Sequence, residues 1–195
     1  MVKVGILASG RGSNFEAILR AVNAKKLNLE IVLVASNKEN APVLEKAKQA
    51  NIPIYAGQDY ALALHNHGVE FVILAGFMKI LSASFIAAYK SKKGDYSKIV
   101  NVHPSLLPAF TGLNGYEQAF NYGSKVAGVT IHLVDEKLDH GPVCAQKSFS
   151  IEGCKTPSDV EKIGLAIEHE LYPETLSWVI NENFVIEGRR CVRTS

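Results

Sequence analysis

The chain has 195 residues, of which 47% are hydrophobic and 21% charged, and its formal net charge is +2. This length is sufficient for one domain with a sizeable core, and the composition excludes disordered and fibrous proteins. The lysines and arginines are scattered and do not form the stripe that a nucleic-acid groove needs, and no apolar run is long enough to cross a bilayer.

The first half of the chain alternates short apolar runs with helical patterns. Strands are predicted at residues 2–8, 30–35, 52–55, 71–75 and 98–102. A first helix is predicted to begin near Phe15 and a second to cover residues 41–50. Pro53 places the third strand near an edge of the sheet. Near-continuous apolar strands separated by helices are typical of a parallel sheet that is buried on both faces. The fold class is therefore predicted to be α/β, with a Rossmann-like, doubly wound, mostly parallel sheet.

The pattern changes after residue 125. Strands at residues 128–134 and 142–150 are separated by about seven residues, too few for a parallel crossover, so we predict an antiparallel hairpin. A long helix follows at residues 157–180, and residues 184–193 are expected to form a small terminal hairpin. The predicted apolar stripe of the long helix consists of Val160, Ile163, Ala166, Ile167 and Leu171.

The three cysteines, Cys144, Cys154 and Cys191, are odd in number and lack the paired spacing of a zinc site. We interpret them as reduced thiols in a cytoplasmic protein. We expect one domain over residues 1–195 that acts on small molecules, with neither nucleic acid nor a membrane as a partner.

The turn Ser9-Gly-Arg-Gly-Ser-Asn14 joins the first strand to the first helix. Its glycines allow close approach of a ligand, and the N–H groups of the first helical turn attract an anion. The motif is neither a Walker A sequence nor the full dinucleotide fingerprint, so a single phosphate suits it better than a pyrophosphate. A tight turn with Ser13 or Asn14 as the helix N-cap explains the same residues equally well.

A second candidate site is Asn101-Val-His103-Pro104, at the carboxyl end of the fifth strand. Alternation along the strand places Asn101 and His103 on one side and Val102 in the core. Open α/β sheets bind ligands at this edge, where an amide and an imidazole can stabilise an oxyanion and move a proton. An isolated Asn-x-His is nevertheless more often structural, with both side chains satisfying backbone groups.

The loop at residues 135–141, inside the hairpin, carries several charges. Such a loop is usually a solvated turn, but Asp139 can also reach His103, fix its orientation and raise its pKa. The other histidines are too widely separated, and lack a carboxylate cluster, so no metal site is expected.

Four segments in order reveal a resemblance over residues 4–178: the turn at 9–14, Leu74-Ala-Gly-Phe-Met-Lys-Ile-Leu81, Asn101-Val-His-Pro-Ser-Leu-Leu-Pro108 and Leu138-Asp-His-Gly-Pro-Val143. The chain resembles the phosphoribosylglycinamide formyltransferases, a family of folate-dependent enzymes of purine biosynthesis. The His-Pro-Ser-Leu-Leu-Pro block is typical of the wider formyl-folate-using superfamily, and the Ser-Gly-x-Gly-Ser-Asn turn narrows the resemblance to this family.

The resemblance implies a role for each matching residue. Asn101, His103 and Asp139 would be catalytic, and Asn101 would also contact the formyl-folate. The phosphoribosylglycinamide substrate would be held by Gly12, Ser13 and Asn14 at its phosphate and by Glu168 at its glycinamide-ribose part. The pocket for the formyl-folate would be lined by the loop at 134–141 and by Met78, Lys79, Ile80, Leu81 and Ile86.

The resemblance further implies 10-formyltetrahydrofolate as cosubstrate, no metal, and a monomer or homodimer. Transfer would be direct, without a covalent enzyme intermediate. Two departures from the family concern folate binding: the segment at 56–70 is short and lacks a folate-contacting arginine, and Lys79 stands where arginine is usual.

Two alternatives remain open at this point. A formyltetrahydrofolate hydrolase resembles the chain at the same three catalytic positions but uses water as acceptor. A non-catalytic folate- or phosphate-binding module could share the fold, because fold does not fix function.

Overall fold

The computed structural model describes residues 1–194, and within them a nine-stranded sheet is flanked by six helices. The strands are β1 (Val2–Leu7), β2 (Leu29–Ser36), β3 (Ile54–Ala56), β4 (Phe71–Leu74), β5 (Ile99–His103), β6 (Val126–Leu133), β7 (Val143–Ser150), β8 (Phe184–Glu187) and β9 (Arg190–Arg193). The helices are α1 (Ser13–Asn23), α2 (Pro42–Gln49), α3 (Tyr60–Asn66), α4 (Ala83–Ala88), α5 (Gly115–Tyr122) and α6 (Pro157–Val179). The strand order is β3-β2-β1-β4-β5-β6-β7-β9-β8.

The first five strands form the parallel half of the sheet. β1 pairs in parallel with both β2 and β4, and the outer pairs β2–β3 and β4–β5 are also parallel. The chain runs from β1 through β2 to β3 and then returns to the other side of β1, where β4 and β5 follow. The strand order therefore reverses between β1 and β4. Open α/β sheets bind ligands beyond the carboxyl ends of the strands at such a point.

Both faces of this half are covered, as the apolar strands predicted. Val4 and Ile6 of β1 pack in one hydrophobic core with Phe15 of α1, whereas Leu7 packs in a second core with Phe85 of α4. The doubly wound α/β prediction is confirmed, and the predicted strands differ from the observed ones by at most two residues at either end. β3 lies at the edge, where Pro53 placed it.

The second half of the sheet is mostly antiparallel. β6 pairs antiparallel with β5 and β7, so the predicted hairpin is confirmed. The terminal hairpin β8–β9 is also present, and it extends the same sheet because β9 lies beside β7, with Val143 opposite Arg190. The sequence did not predict that this hairpin would join the sheet.

Helix α6 is present, but its predicted apolar stripe is partly wrong. Ile163 and Ala166 are exposed, and the buried face instead follows a four-residue spacing. Its members include small, charged and aromatic residues that a count of apolar side chains overlooks: Val160, Gly164, Glu168, Tyr172 and Leu176. A hydrophobic pattern alone therefore selected the wrong side of this helix for part of its length.

Gly164 explains why the helix packs on that side. A Cβ at position 164 would lie 2.1 Å from Cζ of Tyr116, so only glycine lets the aromatic ring of α5 lie against α6. The helix begins at a capping box in which Thr156 and Asp159 bond each other's backbone N–H groups. Among residues 1–194, no helix is long and apolar enough to span a membrane.

Candidate active site

A cleft of about 860 Å³ opens at the carboxyl ends of β1, β4 and β5. Its walls come from the turn at 9–14, the segment at 74–81, the end of β5, the loop at 132–139 and one edge of α6. These segments are far apart in sequence and meet because parallel strands present their carboxyl ends at one edge of the sheet. Every site residue that the sequence analysis named individually lines this cleft, and of the loop at 134–141 residues 134–139 line it.

One end of the cleft is formed by the turn that leads into α1. Gly12 adopts a left-handed conformation with φ of 78°, and a Cβ there would lie 2.6 Å from Val43 Cγ2, so glycine is required. Gly12 is also the N-cap of α1, and no side chain caps the helix. The alternative in which Ser13 or Asn14 is the N-cap is therefore wrong, and the first-turn N–H groups are left to attract an anion.

Ser9 holds this turn against its neighbours. Its hydroxyl donates to Asn37 Oδ1 at 2.7 Å and accepts from the backbone N–H of Met78 at 2.9 Å. The ends of β1, β2 and β4 are thereby tied together beneath the cleft. Two cationic side chains, Arg11 and Lys38, also line this end of the cleft, and Arg11 pairs with Glu161.

The same end contains a buried carboxylate. Glu168 of α6 is 4% exposed, and its two oxygens accept from Asn14 Nδ2 and from the Tyr116 hydroxyl, each at 2.6 Å. Burial raises the pKa of Glu168 above its ordinary value, although both hydrogen bonds act in the opposite direction. Within the described residues Asn14 Oδ1 is buried and finds no protein partner. It is therefore suited to accept from a hydroxyl or N–H of a ligand.

The middle of the cleft contains Asn101 at the end of β5. The register of β5 and β6 places Asn101 opposite His132, and Asn101 Nδ2 lies 3.2 Å from His132 Nε2. His132 Nδ1 lies 2.9 Å from the Leu133 carbonyl oxygen, which can only accept, so Nδ1 carries the hydrogen and Nε2 accepts from Asn101. Burial lowers the pKa of His132, which favours this neutral form. His132 thus fixes which way the amide of Asn101 points.

His103 and Asp139 lie beside this pair. His103 Nδ1 is 3.5 Å from Asp139 Oδ1, and both side chains are more than nine-tenths buried. The other ring nitrogen, Nε2, donates to the Phe110 carbonyl at 2.9 Å, while the backbone N–H of Gly112 donates to Asp139 Oδ2 at 2.7 Å. The sequence predicted that Asp139 can reach His103, and the fold brings the two together.

The other end of the cleft is largely apolar. Met78 and Ile80 are mostly exposed at its rim, whereas Leu81 and Ile86 are buried in its wall. Lys79 Nζ donates to Gln58 Oε1 at 2.7 Å and lies 5.4 Å from the ring centroid of Tyr60. An apolar wall with a cation at its rim is suited to a flat ring system that carries a carboxylate.

Sequence reasoning missed two residues of this site. These are His132 and Tyr116, neither of which was assigned a role in the site from the sequence. The spacing of Gly164 four residues before Glu168 was the available signal for a large side chain packed next to that carboxylate. No signal of comparable strength pointed to the pairing of His132 with Asn101, which depends on strand register. In the part of the chain that the structure describes, no group of three His, Cys, Asp or Glu residues could hold a metal ion.

Residues 2–176 match the family described as formyl transferase. The chain is 36% identical to phosphoribosylglycinamide formyltransferase of Bacillus subtilis (strain 168), over 94% of this chain and 97% of that protein. It resembles the crystal structure of glycinamide ribonucleotide transformylase 1 from Symbiobacterium toebii with a TM-score of 0.93, at 33% identity over 100% of this chain and 95% of that one.

A formyltetrahydrofolate deformylase from Pseudomonas syringae pv. tomato str. DC3000 has the same fold. Its TM-score is 0.89, at 22% identity over 100% of this chain and 66% of that one. At this identity the likeness extends to the fold alone.

Proposed function

The chain belongs to the formyl transferase family, and from that premise we propose that it transfers the formyl group of 10-formyltetrahydrofolate to the amine of 5-phosphoribosylglycinamide, a step of de novo purine biosynthesis. The observation that carries the proposal is one continuous cleft that joins an anion-attracting turn, an amide–imidazole–carboxylate cluster and an apolar wall. The similar proteins from Bacillus subtilis and Symbiobacterium toebii are named for this activity, and this chain matches each of them over nearly its whole length.

The acceptor is proposed to bind at the end of the cleft formed by α1. Gly12, Ser13 and Asn14 would hold its phosphate through the N-terminus of that helix, with Arg11 and Lys38 adding positive charge nearby. Two hydrogen-bond acceptors, Glu168 and the unpaired Oδ1 of Asn14, would then face the hydroxyl and N–H groups of the glycinamide-ribose part.

The formyl-folate is proposed to bind at the other end. Its ring system would lie against the apolar wall, and Lys79 would face a carboxylate of its tail, as a single cationic donor and not as the bidentate fork of an arginine. The residues assigned to the formyl-folate are Met78, Lys79, Ile80, Leu81, Ile86 and Asn101.

Catalysis is proposed to be a direct acyl transfer between substrates held in one cleft. The acceptor amine attacks the formyl carbon and forms a tetrahedral centre, whose oxyanion is stabilised by the amide N–H of Asn101. Nε2 of His103 donates to the Phe110 carbonyl, so its other ring nitrogen, Nδ1, is the one that can take part in proton transfer. We assign the transfer of the amine proton to Nδ1 of His103 together with the carboxylate of Asp139. They accept it from the attacking amine and return it to the folate nitrogen as the C–N bond breaks.

A formyltetrahydrofolate hydrolase is the second candidate, because it would use the same cluster with water as acceptor. The anion-attracting turn and the buried Glu168 favour the transferase, since a water acceptor needs neither of them. A non-catalytic binding module is disfavoured by the complete set of Asn101, His103 and Asp139 within one cleft. A cytoplasmic location and a monomeric or homodimeric state stay predictions.

A transfer assay tests this proposal. A 10-formyl-folate donor is followed spectrophotometrically with and without phosphoribosylglycinamide, and we expect folate release only when the acceptor is present. Equal release without the acceptor would identify a hydrolase, and no release in either case would refute both enzymes.

Two histidine variants then test the assigned site. His103→Ala is expected to lower kcat by about two to three orders of magnitude, as loss of a group that acts on the transition state does. His65→Ala, an exposed histidine outside the cleft, is the matched control and should keep full turnover. Wild-type turnover in His103→Ala would overturn the assignment.

A further inference from the structure

The terminal hairpin contacts the loop that carries Asp139. Arg189 lies in the turn between β8 and β9, and its Nη2 donates to the His140 carbonyl oxygen at 2.7 Å. Its Nη1 also lies against the imidazole of His140. Both terminal nitrogens of one guanidinium therefore contact the residue that directly follows Asp139 in the chain, although 49 positions separate the two partners.

The imidazole of His140 is held from its other side as well. Its Nδ1 lies 2.8 Å from Asp135 Oδ2, and a carboxylate only accepts, so Nδ1 donates and Nε2 is free to accept from Arg189. The backbone N–H of Lys137 donates to the other oxygen of Asp135 at 2.9 Å. Arg189, His140 and Asp135 thus form a chain of hydrogen bonds across the loop at 134–141. We call these three residues the hairpin clamp.

The backbone of this loop needs external support. Asp139 has a left-handed φ of 51°, a conformation that an aspartate tolerates but does not favour. Beyond it, Gly141 lies so close to Leu133 that a Cβ would meet the Leu133 carbonyl oxygen at 1.9 Å. The position of the Asp139 carboxylate therefore depends on how firmly its neighbours hold the loop.

The hairpin clamp is anchored to the sheet. Arg189 is adjacent to Arg190, whose backbone pairs with Val143 at the start of β7. Among residues 1–194, no carboxylate lies within ion-pair distance of Arg189, so its charge-assisted hydrogen bonds go to His140. The C-terminal hairpin thus supports the loop from a fixed point next to its end.

We propose that Arg189 and His140 are positioning residues, which hold Asp139 at its distance from His103 by clamping the loop to the C-terminal hairpin. This inference rests on the proposed function for its kinetic consequence. Because Leu138 and Val134 of the loop line the folate side of the cleft, loosening the loop affects the chemical step and the formyl-folate. The phosphate end of the cleft, formed by the turn at 9–14, is unaffected.

The test compares Arg189→Ala with Arg190→Ala, two variants that remove the same charge from neighbouring exposed positions of one hairpin. Because Arg189 is exposed, Arg189→Ala is expected to lower kcat only about three- to tenfold, the order expected for the net loss of one ordinary hydrogen bond, and to leave KM for phosphoribosylglycinamide unchanged. Arg190→Ala should match the wild type. Arg189→Lys, which keeps one cationic donor for the His140 carbonyl, should recover part of kcat.

Hydrogen exchange of the loop amides gives a readout that needs no activity. Arg189→Ala should speed exchange at His140, whose N–H donates to the Lys137 carbonyl, and Arg190→Ala should not. Equal kcat or equal exchange in the two alanine variants would overturn the proposal. If the wild type fails to transfer formyl at all, the proposed function fails, while the exchange comparison still decides whether the clamp exists.

Discussion

Replacing Tyr116 with phenylalanine removes one hydroxyl from the buried end of the cleft. The hydroxyl donates to Glu168 Oε1 at 2.6 Å, and the ring, which packs against Gly164 and Phe149, stays in place. The substitution therefore isolates the hydrogen bond from the packing. Glu168 retains a single donor, Asn14 Nδ2, at its other oxygen.

The size of the effect follows from the burial of Glu168. A hydrogen bond to a charged group contributes about 1.5–3 kcal/mol to stability. For a chain of this length we therefore expect Tm to fall by roughly 3–12 °C at pH 8.

The loss should depend on pH. Burial raises the folded-state pKa of Glu168 above 4.5, and the Tyr116 hydrogen bond lowers it, so the variant raises this pKa further. At pH values above the folded-state pKa of Glu168, the variant lacks a donor to a buried carboxylate and loses the full stabilisation that this hydrogen bond provides. As pH falls through the folded pKa, the carboxyl is protonated in both proteins and the difference in unfolding free energy shrinks.

Urea unfolding of both proteins between pH 8 and pH 4, a range that extends below the ordinary pKa of 4.5, measures this difference. Tyr122→Phe is the matched control, because Tyr122 belongs to the same helix and is 82% exposed. A loss that is the same at every pH, or no loss at pH 8, would refute the interpretation of Glu168 as a buried carboxylate stabilised by this hydroxyl. In the transfer assay, KM for phosphoribosylglycinamide should rise while KM for the formyl donor stays constant.

Two further substitutions test the centre of the cleft. His132→Phe removes the acceptor that orients Asn101, and we expect kcat to fall about tenfold. Burial lowers the folded-state pKa of His132 below 6.5. The wild type therefore loses stability as pH falls from about 6.5 towards that pKa. Denaturant unfolding should show that His132→Phe lacks this pH-dependent loss of stability. Gly141→Ala forces a Cβ against the Leu133 carbonyl and should displace Asp139. We expect kcat of the folded variant to fall at least about tenfold. Wild-type turnover in this variant would contradict the assigned role of the loop.

Local pattern was enough for most of the fold. Strands β1, β4 and β5 lie largely buried in the sheet and form near-continuous apolar runs, so their existence and parallel pairing could be predicted from the sequence. Short helices with little periodicity, such as α3 and α4, were not predicted, because a few turns give too weak a signal. In α6 the pattern failed at Ile163, which is exposed, since the helix packs through Gly164.

The sequence by itself determined which side chains could do chemistry: alternation along β5 placed Asn101 and His103 together, and the glycine-rich turn indicated an anion at α1. Only the tertiary structure decided how these groups are held. The pairing of Asn101 with His132 depends on the register between β5 and β6, and the contact of Arg189 with His140 depends on where the terminal hairpin joins the sheet. These are contacts between residues far apart in the chain, and local sequence carries little information about them because register and docking are fixed by the packing of the whole core.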